Sequence, residues 1–325
     1  MNRKVAVVSG CAGQDGSILS ELLLEKGYKV HGTIRRSSRG MDLGNSSHLQ
    51  GDPNFEVVEV DITDMSSIVR LCKLAKPHYF YNMAAQSHVG TSFSQPIYTA
   101  ECTGISVLNI LEAIHESGYH TRFLNAATSE MFGGIYNEPC NEQTPFYPRS
   151  PYASAKTFAF HTCRNYREAY RMFVCSTICF NHEQAGKRGP NFVTRKISLG
   201  VANIKAGKQE FLYLGNLDAK RDWGVADDFC RGMILILEAN EPDDFILATG
   251  ETHSVREFCQ IAFEHAGLGD YQKYVKVDPQ FFRPTEVDVL IGDYSKIRDK
   301  LGWKPTTSFN DLVKQMVDHD IHMVK

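Results

Sequence analysis

The first 180 residues alternate short apolar runs, rich in β-branched residues, with longer amphipathic segments. Runs such as KVAVVSG, FEVVEVD and FVCSTICF have the length of buried strands, and segments such as MSSIVRLCKLAKP and GISVLNILEAIHESG have the spacing of helices. Apolar strands separated by helices are typical of a parallel sheet that is covered on both faces. The sequence therefore predicts an α/β fold with a doubly wound parallel sheet.

The alternation stops after residue 181, where short strands, loops and helices are mixed with proline-containing turns. Neither a low-complexity linker nor an internal repeat is present in the sequence. We expect a larger sheet domain over residues 1–180, to which segments from about 215–250 return, and a smaller α/β substrate-binding region over residues 181–325.

Composition argues against several classes of partner. The 325 residues carry a net charge of −3 with scattered basic side chains, which favours neither nucleic acid nor a membrane surface. No apolar run has the length of a membrane span, and the N-terminal residues lead directly into a strand rather than a signal peptide. The nine cysteines include no C-x-x-C pair and no metal-ligand spacing. We expect a cytoplasmic protein without a metal, whose thiols are reduced.

A glycine array follows the first predicted strand and opens the first predicted helix. The segment GCAGQDG places Gly10, Gly13 and Gly16 three residues apart. Glycines at such a junction let the backbone turn sharply and approach a pyrophosphate, which the helix N-terminus stabilises. A plain tight turn is the alternative. Within an alternating chain, the array favours a dinucleotide-binding, Rossmann-type sheet.

The second predicted strand ends in two arginines instead of the acidic residue that binds the ribose 2′-hydroxyl of NAD. Arg35 and Arg36 suit a 2′-phosphate by charge and by bidentate geometry, so we expect NADP. A solvated basic loop is the alternative. Asp61 and Ile62 follow the third strand, where they can flank the adenine, although Asp61 can instead cap the next helix.

The segment YASAK places Tyr152 and Lys156 four residues apart, on one face of a predicted helix. A nearby ammonium favours the phenolate form of tyrosine, which can then take a proton from a sugar hydroxyl while hydride leaves the same carbon. Glu130 lies where the apolar run RFLNAA ends. A carboxylate is costly to desolvate unless it is exposed, paired or used, so Glu130 is either a solvated loop residue or part of the chemistry.

Several blocks together resemble the GDP-mannose 4,6-dehydratase family of the extended short-chain dehydrogenase/reductase superfamily. They include GQDGSILSELLLEKGYKVHGTIRRSS, AAQSHV, TSEMFG, TPFYPRSPYASAK, NFVTRKI, LGNLDAKRDWG and FRPTEVD. The resemblance extends over nearly the whole chain. It implies an NADP-dependent lyase that removes water from a GDP-sugar and recycles its cofactor in each turnover.

The resemblance also implies roles for the residues at the predicted site. Tyr152 would remove the proton of the C4 hydroxyl, and Thr128 would hydrogen-bond the C4 oxygen. Glu130 would take the C5 proton. Related dehydratases acting on deoxythymidine-diphosphate-glucose have an aspartate where this chain has Ser129. Because serine is a poor acid, Glu130 is also expected to protonate the departing C6 hydroxyl.

Two further sets of residues follow from family position. Beside Tyr152, Lys156 and the glycines, the cofactor would contact Gln14, Asp15, Arg35, Arg36, Asp61, Ile62, Ala84, Ala85, Gln86, Tyr98, His182 and Arg188. The GDP-sugar would contact Ser87, Ser129, Asn181, Val193, Lys196, Gly215, Arg221, Arg283 and Glu286. Arg221 and Arg283 suit the diphosphate, and Glu286 could accept hydrogen bonds from guanine. Taken alone, the two arginines are ordinary surface residues and Glu286 a helix-start or salt-bridge residue.

The sequence departs from the family pattern at two places. Ala12, after Cys11, stands where a threonine is usual, and the loop after NHE is one residue longer and contributes Arg188. The longer loop leaves a GDP-manno-heptose open as the substrate. An epimerase or reductase on the same scaffold would not need Glu130, and a catalytically silent NADP-binding regulator would tolerate loss of Tyr152, Lys156 or Glu130.

The resemblance implies self-association as well. In the family, the loop that corresponds to RRSS reaches a neighbouring subunit and helps to bind its cofactor. Residues 35–39 hold three arginines in a polar segment. We expect a homotetramer, with a dimer as the alternative.

Overall fold

The computed structural model describes residues 3–38, 40–282 and 284–324. Seven parallel strands form one sheet in the order β11-β6-β5-β4-β1-β2-β3. These strands are β1 Val5–Ser9, β2 Lys29–Ile34, β3 Phe55–Glu59, β4 Tyr79–Asn82, β5 Arg122–Thr128, β6 Val174–Cys179 and β11 Phe245–Leu247. The predicted fold class, a Rossmann-type doubly wound parallel sheet, is confirmed.

Helices cover both faces of this sheet. They are α1 Gln14–Glu25, α2 Met65–Ala75, α3 Val89–Ser94, α4 Pro96–Ala100, α5 Ser106–Ser117, α6 Pro151–Tyr170, α8 Ala226–Glu238 and α10 Ser295–Leu301, with a π-helical turn at Glu101–Ile105. In β1, Ala6 and Val8 pack in the cluster that contains α1 and α8, while Val7 packs in the cluster that contains α2 and α5. Successive side chains of a strand point to opposite faces, so a strand buried on both faces must be apolar throughout.

A second cluster of buried side chains lies around α7 Val193–Lys205, α9 Val255–His265 and α11 Phe309–Val324. Three pairs of short strands accompany it. β7 Asn181–Glu183 pairs with β10 Trp223–Val225, β8 Leu212–Leu214 with β13 Val275–Val277, and β9 Lys220–Arg221 with β12 His253–Ser254. The chain thus leaves the large sheet after β6 and returns to it with α8 and β11.

Local polar contacts fix where several helices begin. The Ser150 side chain accepts a hydrogen bond from the Ala153 N–H, and Pro151 takes the first position of α6. Asp64, not Asp61, caps α2 by accepting from the Ser66 N–H. Asp61 instead accepts hydrogen bonds from the backbone and hydroxyl of Thr63. This leaves Asp61 at the end of β3.

Short 3-10 helices occur at Gly44–Leu49, Ser129–Phe132, Tyr271–Lys273 and Pro279–Phe281. All nine cysteines are buried and free. In the part of the chain that the structure describes, no helix combines the length and apolar character that a bilayer crossing requires. Within the same residues, no group of three or more His, Cys, Asp or Glu side chains is placed to hold a metal ion.

Candidate active site

A cavity of about 1130 Å³ opens at the carboxyl ends of the parallel strands. Residues that follow β1, β2, β3, β4, β5 and β6 line one side of it, and residues of the second cluster line the other. Crevices at this edge of an open α/β sheet are where such folds bind ligands. The volume exceeds what one drug-sized ligand usually occupies and suits a dinucleotide together with a second ligand.

The glycine array forms the floor of this cavity. Gly10 has φ +67°, and a Cβ atom there would lie 3.0 Å from the Ala84 Cα. A Cβ atom on Gly16 would overlap the Gly10 carbonyl oxygen. Gly13 is the N-cap of α1, so the unpaired N–H groups of the first turn begin directly at the cavity. A backbone that approaches this closely and presents a helix N-terminus fits a pyrophosphate.

Four polar side chains lie together at the ends of β5 and α6. Thr128 ends β5, Glu130 lies in the following 3-10 turn, and Tyr152 and Lys156 occupy the first two turns of α6. All four line the cavity, and each exposes at most 8% of its surface. The Lys156 ammonium lies 5.9 Å from the centre of the Tyr152 ring and donates a hydrogen bond to the Ala126 carbonyl at 2.5 Å.

Burial is the largest influence on the pKa values of Tyr152 and Lys156. Burial raises the pKa of the Tyr152 phenol well above its ordinary value, although a hydrogen bond with the Thr128 hydroxyl opposes the rise. The sequence led us to expect a lowered pKa because of Lys156, but burial is the largest influence on the phenol and its pKa is raised instead. Burial lowers the pKa of Lys156 to about 8. The lysine can therefore exchange a proton close to neutral pH.

Comparison with known proteins identifies the family. The family model for GDP-mannose 4,6 dehydratase matches residues 7–316. GDP-mannose 4,6 dehydratase of Cricetulus griseus is 46% identical to this chain, over 99% of the chain and 93% of the relative. GDP-mannose 4,6-dehydratase of Sinorhizobium fredii strain HH103 is 47% identical, over 100% and 98%. The chain belongs to the GDP-mannose 4,6-dehydratase family.

Solved structures agree with the fold of this family. UDP-glucose 4-epimerase of Thermotoga maritima, in a complex with UDP-glucose, has a TM-score of 0.86 and 25% identity, and the match covers 99% of this chain and 100% of that one. A dTDP-glucose 4,6-dehydratase of Streptomyces venezuelae, with NAD bound, has a TM-score of 0.85 and 25% identity, over 97% and 96%. The family resemblance predicted from the sequence is confirmed.

Most residues that family position assigns to the cofactor lie around the cavity. The residues that line it are Gly10, Gly13, Gln14, Asp15, Gly16, Arg35, Asp61, Ile62, Ala84, Ala85, Tyr98, Tyr152, Lys156, His182 and Arg188. Arg36 and Gln86 are outside the lining. The Arg36 side chain is 68% exposed and lies 3.4 Å from Glu59. Gln86 bonds the backbone of His88 and the Thr99 hydroxyl, so it holds the loop after β4 in place.

The two neighbouring arginines therefore differ. Arg35 donates a hydrogen bond to the Tyr98 hydroxyl at 3.2 Å, and its guanidinium lies 6.0 Å from the centre of that ring. Arg36 points towards solvent and β3. Of the pair that the sequence proposed for a 2′-phosphate, only Arg35 reaches the cavity.

Eight of the predicted substrate residues also line the cavity. They are Ser87, Ser129, Asn181, Val193, Lys196, Gly215, Arg221 and Glu286. Arg283 lies outside the described residues. The Lys196 ammonium lies 3.4 Å from the centre of the Phe281 ring. In the loop that the sequence marked as one residue longer, Arg188 stacks on Phe192 at 3.6 Å and pairs with the buried Glu183 at 2.8 Å.

The sequence did not indicate several residues that line the cavity or hold its lining residues in place. The Ser9 hydroxyl donates to Asn82 at 2.6 Å and accepts hydrogen bonds from the N–H groups of Met83 and Ala84. His88, Phe192 and Phe281 also line the cavity. Their only sequence signal is position: His88 and Phe192 lie within the blocks AAQSHV and NFVTRKI, and Phe281 directly precedes FRPTEVD.

A partly buried ion pair links the first turn of α1 to β7. His182 Nε2 lies 2.9 Å from an Asp15 carboxylate oxygen, and His182 Nδ1 lies 2.7 Å from the Phe180 carbonyl oxygen. Burial alone would lower the pKa of His182, but Asp15 and the Phe180 carbonyl reverse this, so that pKa is raised. Burial likewise opposes ionisation of Asp15, yet the charge of His182 and its hydrogen bond lower the pKa of Asp15 to about 2.

We predict that His182 stays protonated above pH 6.5, the ordinary histidine pKa. In Asp15→Asn the favourable charge is lost while burial remains, so the His182 pKa should fall below that value. A pH titration followed by ¹⁵N NMR of the imidazole measures the His182 pKa in the unmodified protein and in Asp15→Asn. A His182 that titrates below pH 6.5 in the unmodified protein, or is unaffected by Asp15→Asn, would contradict this account of the pair.

Proposed function

We propose that this protein is a GDP-mannose 4,6-dehydratase, which converts GDP-mannose to GDP-4-keto-6-deoxymannose and water and recycles NADP within each turnover. The observation that carries the proposal is the buried group of Thr128, Glu130, Tyr152 and Lys156 at the strand ends. Names of the curated relatives favour mannose over a manno-heptose as the sugar. The enzyme is then a lyase, not a net oxidoreductase.

The residues present fit a nicotinamide dinucleotide. The glycine turn would hold the pyrophosphate, Asp61 and Ile62 would flank the adenine, and the Arg35–Tyr98 pair would bind the 2′-phosphate of NADP. When bound, the nicotinamide would accept a hydride from C4, return it to C6 and contribute a positive charge that favours the Tyr152 phenolate.

Tyr152, Lys156 and Thr128 act on C4 in this proposal. Tyr152 takes the proton of the C4 hydroxyl, and the Thr128 hydroxyl, which already bonds Tyr152, steadies the C4 oxygen. With its pKa lowered to about 8, Lys156 can pass a proton to and from the phenol near neutral pH. The resulting 4-keto group acidifies C5.

Glu130 acts on C5 and C6. Its carboxylate takes the C5 proton, and the same residue then protonates the departing C6 hydroxyl, because the neighbouring Ser129 is a poor acid. When hydride returns to C6, C5 takes up the proton that Tyr152 removed from the C4 hydroxyl, so both residues regain the protonation state in which they began. The burial of Glu130 keeps bulk water away from the reacting carbons. An epimerase or reductase would have no use for a buried carboxylate at this position, and a silent cofactor-binding regulator would have no use for the whole group.

The GDP moiety belongs on the side of the cavity formed by the second cluster. Lys196 and Arg221 supply positive charge for the diphosphate, and Glu286 can accept hydrogen bonds from the guanine N–H groups. Arg188 is held by Glu183 and Phe192 in the loop that reaches both ligands.

We also propose that the enzyme is a cytoplasmic homotetramer, with a dimer as the alternative. Arg36 is exposed at the start of the RRSS loop, where it could meet a neighbouring subunit. Ser37 and Gly40 exchange two backbone hydrogen bonds. Nine free thiols suit a reducing compartment.

Glu130→Gln separates oxidation from elimination. It keeps the size of the side chain but removes the base, so C4 oxidation should survive while dehydration slows by roughly 10²–10⁴-fold. The absorbance of the reduced nicotinamide should therefore rise when the variant is mixed with GDP-mannose. Stopped-flow absorbance and product mass measure the two steps.

Tyr152→Phe is the matched control for that experiment. It blocks the first step, so neither reduced nicotinamide nor exchange of the C5 proton with solvent should appear. If Glu130→Gln dehydrates GDP-mannose at nearly the rate of the unmodified protein, Glu130 takes no part in the chemistry and the mechanism is refuted.

The difference between the two arginines predicts cofactor preference. Arg35→Ala should weaken NADP binding by about tenfold or more, with less effect on NAD, because a charge-assisted contact to the 2′-phosphate is lost. Arg36→Ala should weaken NADP binding less than Arg35→Ala does, since Arg36 lies outside the cavity lining of its own subunit. Fluorescence titration with both dinucleotides gives the four affinities. Equal losses for NADP and NAD in Arg35→Ala would argue against NADP as the preferred cofactor.

A further inference from the structure

A completely buried carboxylate belongs to the residue that follows the predicted diphosphate-binding arginine in the chain. Asp222 joins β9, which ends at Arg221, to β10, and none of its surface is exposed. Its Oδ1 accepts hydrogen bonds from the Thr249 N–H at 2.8 Å and the Thr249 hydroxyl at 2.7 Å. Its Oδ2 accepts from the N–H groups of Gly250 at 3.0 Å and Gly292 at 3.2 Å. Four donors from two distant segments thus converge on one side chain.

These segments surround the strand that carries Arg221. On one side β9 pairs with β12, in the register that places His253 opposite Arg221. On the other side the Lys220 N–H donates to the Asp288 carbonyl at 2.8 Å, and the Leu290 N–H donates to the Lys220 carbonyl at 3.2 Å. Residues 288–290 lead from Glu286, a cavity residue, to Gly292. Asp222 therefore ties together the backbone on both sides of Arg221.

The charge of Asp222 is part of this arrangement. Burial raises the pKa of its carboxyl to about 6, although the hydrogen bonds from Thr249, Gly292 and Gly250 oppose the rise. At neutral pH the group is therefore ionised, and an ionised carboxylate only accepts hydrogen bonds. Each of its four partners is a donor, so an amide in its place would direct its own N–H groups at two of them.

Arg221 itself has little freedom. Only 6% of its surface is exposed, and its guanidinium donates a hydrogen bond to the Lys220 carbonyl at 2.8 Å. This hydrogen bond couples the orientation of the guanidinium to the position of the β9 backbone. Because Asp222 holds the segments on either side of β9, it determines where that charge lies in the cavity.

We propose that Asp222 is a positioning residue for the nucleotide-sugar, which fixes Arg221 and the segment after Glu286 against the part of the cavity that receives the GDP moiety. The inference rests on the proposed function, because it takes Arg221 as a ligand of the diphosphate. Asp222 does not touch the substrate. It acts on affinity for GDP through Arg221 and leaves the chemistry at C4, C5 and C6 to other residues.

The chain offers a matched control. Asp228 in α8 is also buried, and it accepts hydrogen bonds from the Thr306 N–H at 2.8 Å and the Thr306 hydroxyl at 2.7 Å. These contacts mirror those that Asp222 makes with Thr249. Asp228 does not line the cavity. Asp228→Asn should therefore lower the stability of the fold without weakening GDP binding. Asp222→Asn should weaken GDP binding, because Arg221 is no longer held in position.

The test measures GDP binding by calorimetry in the full-length protein, along with the kinetics of GDP-mannose turnover. Asp222→Asn should raise the Kd for GDP and the KM for GDP-mannose by about tenfold, the size expected when one buried hydrogen-bonded group is disturbed. The kcat and the Kd for NADP should change by less than about threefold, since Asp222 touches neither reacting atoms nor cofactor. Asp228→Asn should lower the melting temperature and leave the Kd for GDP unchanged.

A double-mutant cycle with Arg221→Ala separates positioning from general damage. If Asp222 acts through Arg221, adding Asp222→Asn to Arg221→Ala should change the Kd for GDP by less than about twofold. Additive losses would overturn the inference, as would an unchanged Kd in Asp222→Asn or an equal loss of NADP affinity. Thr249→Val, which removes one donor and keeps the shape, should raise the Kd for GDP by about threefold even if Asp222→Asn folds poorly. No change in Thr249→Val would also overturn it.

The outcomes distinguish this inference from the proposed function. If the unmodified protein binds no GDP, the proposed function fails and the positioning role fails with it. If the unmodified protein binds GDP and turns over GDP-mannose while Asp222→Asn binds GDP equally well, only the positioning role fails.

Discussion

The Ser9 hydroxyl holds the ends of β1 and β4 together. It donates to the Asn82 side chain and accepts from the N–H groups of Met83 and Ala84, and all these atoms are in or beside the buried sheet. The chain can then turn at Gly10 so close to Ala84 that a Cβ atom would lie 3.0 Å from its Cα. The contact thereby fixes the loops after β1 and β4 at the edge of the cavity, which the group proposed for catalysis on β5 and α6 also lines.

Burying so many ionisable groups at one edge is costly, and the structure offsets the cost with specific partners. The Lys156 ammonium bonds the Ala126 carbonyl, Asp15 pairs with His182, and Arg188 pairs with Glu183. The pKa of Asp15 is lowered and that of His182 is raised, which favours the charged form of both, whereas burial lowers the pKa of Lys156 towards neutral pH. The Asp15–His182 pair thus differs from Lys156, the residue proposed to relay a proton, which can change its charge near neutral pH.

The sequence predicts the fold class well because strand and helix periods are local signals, and parallel order follows from their alternation. It places the glycine turn and the Tyr152–Lys156 pair for the same reason. It cannot separate Arg35 from Arg36, because a one-residue difference in direction depends on Tyr98 and Glu59, which come from distant parts of the chain. The sequence did not indicate a role for Asp222, because its partners, Thr249 and Gly292, are 27 and 70 residues away along the chain. The raised pKa of Tyr152 likewise reflects burial, which spacing within one helix does not reveal.

In the proposed mechanism, the buried Glu130 carboxylate and Tyr152 phenol carry out a dehydration that recycles the cofactor within each turnover. Mass spectrometry and NMR of the product formed from GDP-mannose deuterated at C4 test it most directly. We expect a product lighter by one water that carries the deuterium at C6, with no net consumption of NADP. Deuterium recovered in released reduced cofactor, with no loss of water from the sugar, would contradict the account and make the protein a dehydrogenase.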